Sequence, residues 1–264
     1  MHLPNFQSPY LTVSVLEPRV LLVTITRPAQ GNSINADVSR ALERVLGWTE
    51  AEADIWAVVL TGAGGKIFCA GADLKEVAAG RIHTLWTDAG GFAGFVNARR
   101  SKVWIAAVDG LALAGGFEIA LACDFIVAAE HAEFGLPEVT RGLLAAAGGV
   151  YRLPRLIPRA IAFEMIATGK RLSASQAFQH GLVSRVCKGG SVLTEAARLA
   201  SSICSNAPLA VRESLCIARL AFDLDDHTLS EASAAAQERL TQTEDFAEGP
   251  RAFIEKRVPH WKGR

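Results

Sequence analysis

Residues 103–123 read VWIAAVDGLALAGGFEIALAC. The opening run, Val103 to Val108, is continuously apolar and stops at Asp109-Gly110, the pattern of a strand covered on both faces and ended by a turn. Gly116 to Ala122 carries a helical apolar pattern. Between them, Leu113-Ala114-Gly115-Gly116-Phe117-Glu118 takes the chain from an extended run into a helix. A helix N-terminus presents unpaired N–H groups, and with the helix dipole these stabilise negative charge. Cys69-Ala70-Gly71-Ala72-Asp73-Leu74 is a second segment of the same kind. Two such turns facing one another make a two-donor oxyanion hole. On the other reading, Gly71, Gly115 and Gly116 only permit tight turns or close packing. The segment around Gly115 lacks the GxGxxG spacing of a nucleotide-binding loop.

Outward from this stretch the same alternation continues. Trp56 to Thr61, before Gly62-Ala63-Gly64-Gly65, and Asp124 to Ala128 read as further strands, and Leu85 to Arg100 carries a helical pattern. Leu11 to Leu16 and Val20 to Thr26, joined by Glu17-Pro18-Arg19, predict an antiparallel hairpin that ends at Arg27-Pro28. Asn35 or Asp37 can cap a helix running to about Ala53. The whole predicts α/β architecture. From Pro158 the chain turns helical: Ile161 to Thr168, Ser173 to His180, Thr194 to Ser205, Pro208 to Phe222, His227 to Thr243 and Asp245 to Val258. The change near residue 200 predicts a dependent helical extension, with no linker and no internal repeat strong enough to claim.

The chain has 264 residues, 27 basic and 27 acidic, and 50% hydrophobic content. That size supports one or two domains with a sizeable core. The balanced charge argues against nucleic acid as partner, since phosphate neutralisation needs a local excess of cations. No apolar run is long enough to span a membrane, and residues 3–16, interrupted by Pro4, Asn5, Gln7, Ser8 and Pro9, do not read as a signal peptide. Cys69, Cys123, Cys187, Cys204 and Cys216 lack CxxC spacing and read as buried reduced thiols of a cytoplasmic protein. The His residues show no metal-ligand spacing, and there is no GxSxG elbow. Asp124 reads as ordering a turn rather than reacting.

Two carboxylates stand in apolar surroundings: Glu118, about one turn into its helix, and Glu138, after Phe134-Gly135-Leu136-Pro137. A carboxylate in such a place is costly unless it is paired or functional, and it acquires a raised pKa suited to proton transfer. Each could instead cap a helix or pair with a base such as Arg141. Two of them beside a candidate oxyanion hole favour chemistry.

Taken in order, these segments resemble the enoyl-CoA hydratase (crotonase) family over nearly the whole chain. The matching pieces are Arg27-Pro28 with Asn32 to Asn35; Phe68 to Lys75; Asp109-Gly110 through Glu118; Cys123-Asp124; Phe134 to Glu138; Gly148-Gly149 with Arg152-Leu153-Pro154; Thr168-Gly169; and Glu255-Lys256-Arg257 before Trp261-Lys262. The resemblance implies an α/β, crotonase-like spiral of ββα units over residues 1–200. It also implies an all-helical C-terminal extension over 201–264 that packs against partner subunits in a homotrimer or dimer of trimers.

By position, the N–H groups of Ala72 and Gly115 match the family's oxyanion hole, and Glu118 and Glu138 match the hydratases' two carboxylates. Lys75 aligns with a lysine that contacts coenzyme A, beside Ala70, Asp73 and Leu74, and Arg27 lies where a residue approaches the coenzyme A phosphates. Phe253 and Lys256 are similar to C-terminal residues that reach a coenzyme A, including one bound to a neighbouring subunit. Arg27, Lys75 and Lys256 are therefore expected to meet a phosphate or nucleotide. Leu113, Pro137, Ala145 and Ala146 fall at the acyl pocket. Many hydratases have Pro-Gly where this chain has Ala145-Ala146, which leaves the acyl group open. Glu248 to Phe253 with Lys262-Gly263-Arg264 is also similar to carnitinyl-CoA dehydratases.

What the resemblance implies is an acyl-CoA lyase that needs no metal and no cofactor besides the coenzyme A of its substrate. It would add water across the 2,3-double bond, with Glu118 as base and Glu138 as acid, the roles exchanging in dehydration. The alternatives are enoyl-CoA isomerisation, for which a single mobile carboxylate suffices, carnitinyl-CoA dehydration, and a non-catalytic acyl-CoA-binding homologue.

Overall fold

The computed structural model describes residues 8–264. The first hairpin forms as β1 (Leu11–Glu17) and β2 (Val20–Ile25), antiparallel. Residues 3–7, part of the uncharged stretch read above, lie outside the described residues. The helix α1 (Ala36–Ala51) starts at Asn35, whose side chain accepts from the Val38 amide.

Three successive units then share one plan. The first is β3 (Ala57–Gly62), β4 (Ile67–Cys69) and α2 (Leu74–Ala78). After a short hairpin, β5 (Trp86–Thr87) and β6 (Gly91–Phe92), the second is β7 (Val103–Val108), β8 (Leu111–Leu113) and α3 (Gly115–Ala122). The third is β9 (Phe125–Ala129), β10 (Glu133–Gly135) and a 3-10 turn, Pro137–Arg141. In each unit the first strand enters one sheet and the second strand enters another. With β11 (Leu172–Ser173) and β12 (Arg185–Cys187), the sheets run β1-β2-β3-β7-β9-β12 and β11-β10-β8-β4. This is the spiral of ββα units.

The continuous apolar runs are explained by burial on both faces of the larger sheet. Val58, Leu60, Trp104, Ala106 and Val108 point into the main core, between the sheets and α1. Their alternates, Ala57, Val59, Val103, Ile105 and Ala107, meet a second cluster supplied by Val192, Ala196 and Ala200. Those three belong to a later helix. After α4 (Gly149–Leu156), α5 (Arg159–Thr168) and α6 (Ala174–Gln179), α7 (Val192–Cys204) covers the outer face. Then come α8 (Pro208–Ala218), α9 (Asp226–Thr241) and α10 (Glu244–Ile254). The tail folds back on α10, where Asp245 accepts from the Lys262 and Gly263 amides and Glu248 from Arg251, Arg257 and the His260 amide.

One expected helix is absent. Leu85 to Arg100 forms β5, β6 and turns, because its glycines are used for tight bends. Gly91, Ala93 and Gly94 have φ of 67°, 59° and 63°. A Cβ on Gly90 would lie 2.2 Å from the Gly94 backbone. The apolar spacing that suggested a helix serves this compact loop, which buries Leu85, Phe92 and Phe95 in the main core. Asp124 does order a junction: it accepts from the Trp104 amide at 2.8 Å and from Arg219 Nε at 2.8 Å. All five cysteines are free, with Cys69 buried and the others half-buried. Among the described residues no helix is long and apolar enough to cross a membrane.

Candidate active site

In the smaller sheet β4, β8 and β10 are parallel neighbours, with Cys69 opposite Ala112 and Leu113 opposite Gly135. Their C-terminal ends therefore lie side by side. The chain leaves β4 into Gly71-Ala72-Asp73, β8 into Ala114-Gly115, and β10 into Pro137-Glu138. Segments more than sixty residues apart in sequence open into one cavity of about 590 Å³, a size suited to a small-molecule ligand.

The two glycine turns touch. Gly71 has φ +92°, and a Cβ on it would lie 2.8 Å from the Gly115 nitrogen and 2.9 Å from Ala114 Cβ. Hydrogen bonds from Ile34 to the Gly71 carbonyl (2.8 Å) and from Asp73 to the Ile34 carbonyl (2.9 Å) hold the first turn. The Ala72 amide between them, and the Gly115 amide at the start of α3, donate to no protein acceptor among the described residues. Both residues line the cavity.

Gly115 and Gly116 owe their identity to close approach rather than to a left-handed turn. A Cβ on Gly115 would lie 2.5 Å from the Phe92 ring, and one on Gly116 would lie 2.0 Å from the Cys69 carbonyl oxygen. The residue in the left-handed half of conformational space is Ala114, with φ 50° and ψ −132°. That is a strained position for a residue with a side chain. It is held by the bond from its amide to the Gly135 carbonyl at 2.9 Å.

Glu118 sits in the first turn of α3, buried, and its Oε1 accepts from the Gly149 amide at 2.8 Å. Burial pushes its carboxyl up to about 7; the Glu138 charge adds to this, and the Gly149 and Ala147 amides oppose it. Glu138 is also buried, and burial raises its carboxyl against the pull of its own amide and of the Arg141 charge. Among the described residues its Oε2 has no hydrogen-bond partner. Two carboxyls with raised pKa values beside two unpaired amides can move protons next to a developing oxyanion.

Ala70, Ala72, Asp73, Leu74, Lys75, Leu113, Gly115, Glu118, Pro137, Glu138 and Ala146 all line this cavity. Arg27, Ala145, Phe253 and Lys256 do not. Arg27 is turned inward, with Nη2 2.8 Å from Asp73 Oδ2 and Nη1 donating to the Ser33 carbonyl at 2.6 Å. In place of the phosphate contact expected of it, it holds Asp73, whose Oδ1 caps α2 by accepting from the Lys75 amide at 3.1 Å. Ala145 is buried against Gly149, and Ala147 takes the lining position beside Ala146. Phe253, 85% exposed, and Lys256 lie at the far end of α10 and just past it.

Arg141, Gln30 and Trp86 line the cavity without having been singled out as binding residues. Arg141 had a signal, its place three residues after Glu138. The Gly149 amide that holds Glu118 had none, because a backbone donor can belong to any residue.

Removing the inward cation has a calculable cost. Arg27→Met strands a carboxylate whose side chain is only 12% exposed, and breaking a buried pair from one side costs about 3–5 kcal/mol. Urea unfolding should show that loss, and Arg27→Met with Asp73→Asn should recover part of it. An unchanged midpoint in the single variant would contradict the pairing.

The family model described as enoyl-CoA hydratase/isomerase matches residues 16–264. The chain belongs to the enoyl-CoA hydratase/isomerase family. It is similar to a mevalonyl-coenzyme A hydratase of Aspergillus fumigatus, 40% identical over 95% of this chain and 94% of the relative. It is also similar to a carnitinyl-CoA dehydratase of Salmonella typhi, 39% identical over 93% of this chain and 95% of that one. A solved enoyl-CoA hydratase from Mycobacterium tuberculosis superposes with a TM-score of 0.92 at 40% identity, covering 97% of this chain and all of its own. The architecture is thus the crotonase fold, and the chain is a crotonase-family enzyme.

Proposed function

We propose that this enoyl-CoA hydratase/isomerase family member hydrates the 2,3-double bond of an enoyl-CoA thioester, or dehydrates the 3-hydroxyacyl-CoA in reverse. The observation that carries the reading is the presence of two buried carboxyls, Glu118 and Glu138, in the same cavity as the free Ala72 and Gly115 amides.

The thioester oxygen accepts from those two amides as negative charge builds on it, and loss of one such donor typically costs about 2.7–4 kcal/mol of transition-state stabilisation. Glu118 takes a proton from water as its oxygen bonds to Cβ. The π electrons shift toward Cα, and Glu138 delivers its proton there. The pair begins and ends with one proton, so dehydration runs through the same protonation state with the roles reversed. Two carboxyls favour this reading over isomerisation, which one suffices to perform.

On the same reading Lys75, Leu74 and Ala70 meet the coenzyme A. Phe253 and Lys256 reach a coenzyme A held by a neighbouring subunit in a homotrimer or a dimer of trimers. The 85%, 79% and 77% exposure of Phe253, Ile254 and Val258 supports a covered role for the end of α10 and the residues after it. The helices beyond residue 200 are then the part that meets other subunits.

The test is crotonyl-CoA with purified protein, followed by mass spectrometry. A product heavier by one water is expected. A product of unchanged mass with a displaced double bond would replace hydration by isomerisation. Binding without any turnover would favour the non-catalytic reading.

A further inference from the structure

The cavity holds a second cation that the reaction above leaves without a task. Of the charged residues that line it, Asp73 is neutralised by Arg27, and Glu118 and Glu138 are the proposed proton carriers. Lys75 and Arg141 remain, and among the described residues neither is in an ion pair. Among the described residues the one hydrogen bond of the Arg141 guanidinium is a long one, 3.3 Å to the hydroxyl of its neighbour Thr140.

The sheet order puts the segments that carry these cations on the two sides of β8. Lys75 is in α2, which follows β4, and Arg141 ends the 3-10 turn that follows β10. β4 and β10 flank β8 on its two sides, and β8 leads to Gly115. A thioester held at Gly115 extends in two directions, and only one of them can be taken by coenzyme A. With coenzyme A along the β4 wall past Lys75, the acyl group runs along the β10 wall past Glu138. That wall continues as Leu143 and Leu144, which are apolar, with Arg141 beside them. Arg141 is close enough to Glu138 for its charge to oppose the effect of burial there.

We propose that Arg141 selects acyl groups that end in a carboxylate, a proposal that rests on the hydratase reading above. A guanidinium offers a planar pair of donors that matches a carboxylate in a bidentate way. Its charge repels an acyl group that ends in a quaternary ammonium. The chain would thus differ in substrate class from the carnitinyl-CoA dehydratases to which it is similar.

Three esters that differ only at carbon 4 provide the test: crotonyl-CoA, glutaconyl-CoA with a terminal carboxylate, and crotonobetainyl-CoA with a terminal trimethylammonium. Wild type should have its highest kcat/KM with the carboxylate and its lowest with the ammonium. Arg141→Met should lower the glutaconyl-to-crotonyl ratio about fivefold, the upper end expected of one exposed charged pair. Arg141→Lys should restore part of the ratio. An unchanged ratio in Arg141→Met, or a wild-type preference for the ammonium, would overturn the proposal.

Calorimetric affinities for glutaryl-CoA, butyryl-CoA and free coenzyme A need no turnover. A fall confined to glutaryl-CoA supports Arg141 as an acyl selector even if no ester reacts, in which case only the hydratase reading fails. An equal loss for free coenzyme A would assign Arg141 to the coenzyme and overturn the proposal.

Discussion

Glu118→Gln is expected to lower kcat for crotonyl-CoA hydration by about 10²–10⁴-fold, the usual contribution of a positioned acid or base, while making the protein more stable at pH 8. The two effects share one cause. The Glu118 carboxyl is pushed from an ordinary 4.5 to about 7, mainly by burial. Between those values the folded protein keeps a proton that the unfolded chain has released. Stability therefore falls as pH rises through that window, and the penalty is complete above about pH 7, reaching about 3 kcal/mol at most.

Gln has no proton to lose and can still accept from the Gly149 amide through its side-chain oxygen. Its advantage should be present at pH 8 and absent at pH 4, as read by urea unfolding at each pH. Activity should follow the singly protonated pair. For wild type, kcat/KM should fall at low pH when both carboxyls are protonated, and above about pH 7 when the last shared proton leaves. The limb near pH 7 should vanish from the residual activity of Glu118→Gln. Glu138→Gln should be impaired on the same scale, and the double variant by less than the product of the two, since the carboxyls act as a unit. Full activity in both single variants would sink the assignment.

The same conflict between charge and burial that raises the Glu118 carboxyl made it legible. A carboxylate inside the apolar run Gly115 to Cys123 is costly unless paired or functional, so it stands out without any structure, and Glu138 stands out for the same reason. Val103 to Val108 was also legible as a strand, but a run buried on both faces has no alternation to show which side chains meet the other sheet. The three-fold ββα plan was hidden in the residues because β4, β8 and β10 have three residues each, too few for a periodic signal. Leu85 to Arg100 misled because its apolar residues fall at helical spacing while its glycines are bent.

Ala114 gave no sign of its left-handed backbone. Gly71 packs beside it and the Gly135 carbonyl accepts from its amide, and both contacts are remote in sequence. Arg27 shows the limit for charges. A cation bound to Asp73 and one waiting for phosphate have the same letter. Lys102 is a similar case: it is fully buried, and its ammonium donates to the carbonyls of Thr49 and Glu52 at the end of α1.

Gly116→Ala should damage the site severely. Its Cβ would lie 2.0 Å from the Cys69 carbonyl oxygen and 2.5 Å from the Cys69 carbonyl carbon. Both atoms are backbone, so no side chain can rotate away, and either α3 or β4 must shift. Gly115 begins α3 and Ala72 follows β4, so a shift of either element changes the spacing of the Gly115 and Ala72 amides.

The expected stability cost is about 1–3 kcal/mol, the range for overpacking a tight contact. The loss in kcat should reach about 10²–10³-fold, as for a lost oxyanion donor. KM should change less, because the oxyanion contact strengthens toward the transition state. Gly47 is the control: it is exposed in α1, and a Cβ there meets nothing within 4 Å. Gly47→Ala should stabilise the protein by about 0.5–1 kcal/mol through helix propensity and leave kcat unchanged. If Gly116→Ala lost stability but kept kcat, the α3–β4 contact would be a packing feature alone, and the two turns would not have to be held together for catalysis. A kcat loss that persists at temperatures where the variant is fully folded ties the glycine to the placement of the Gly115 amide.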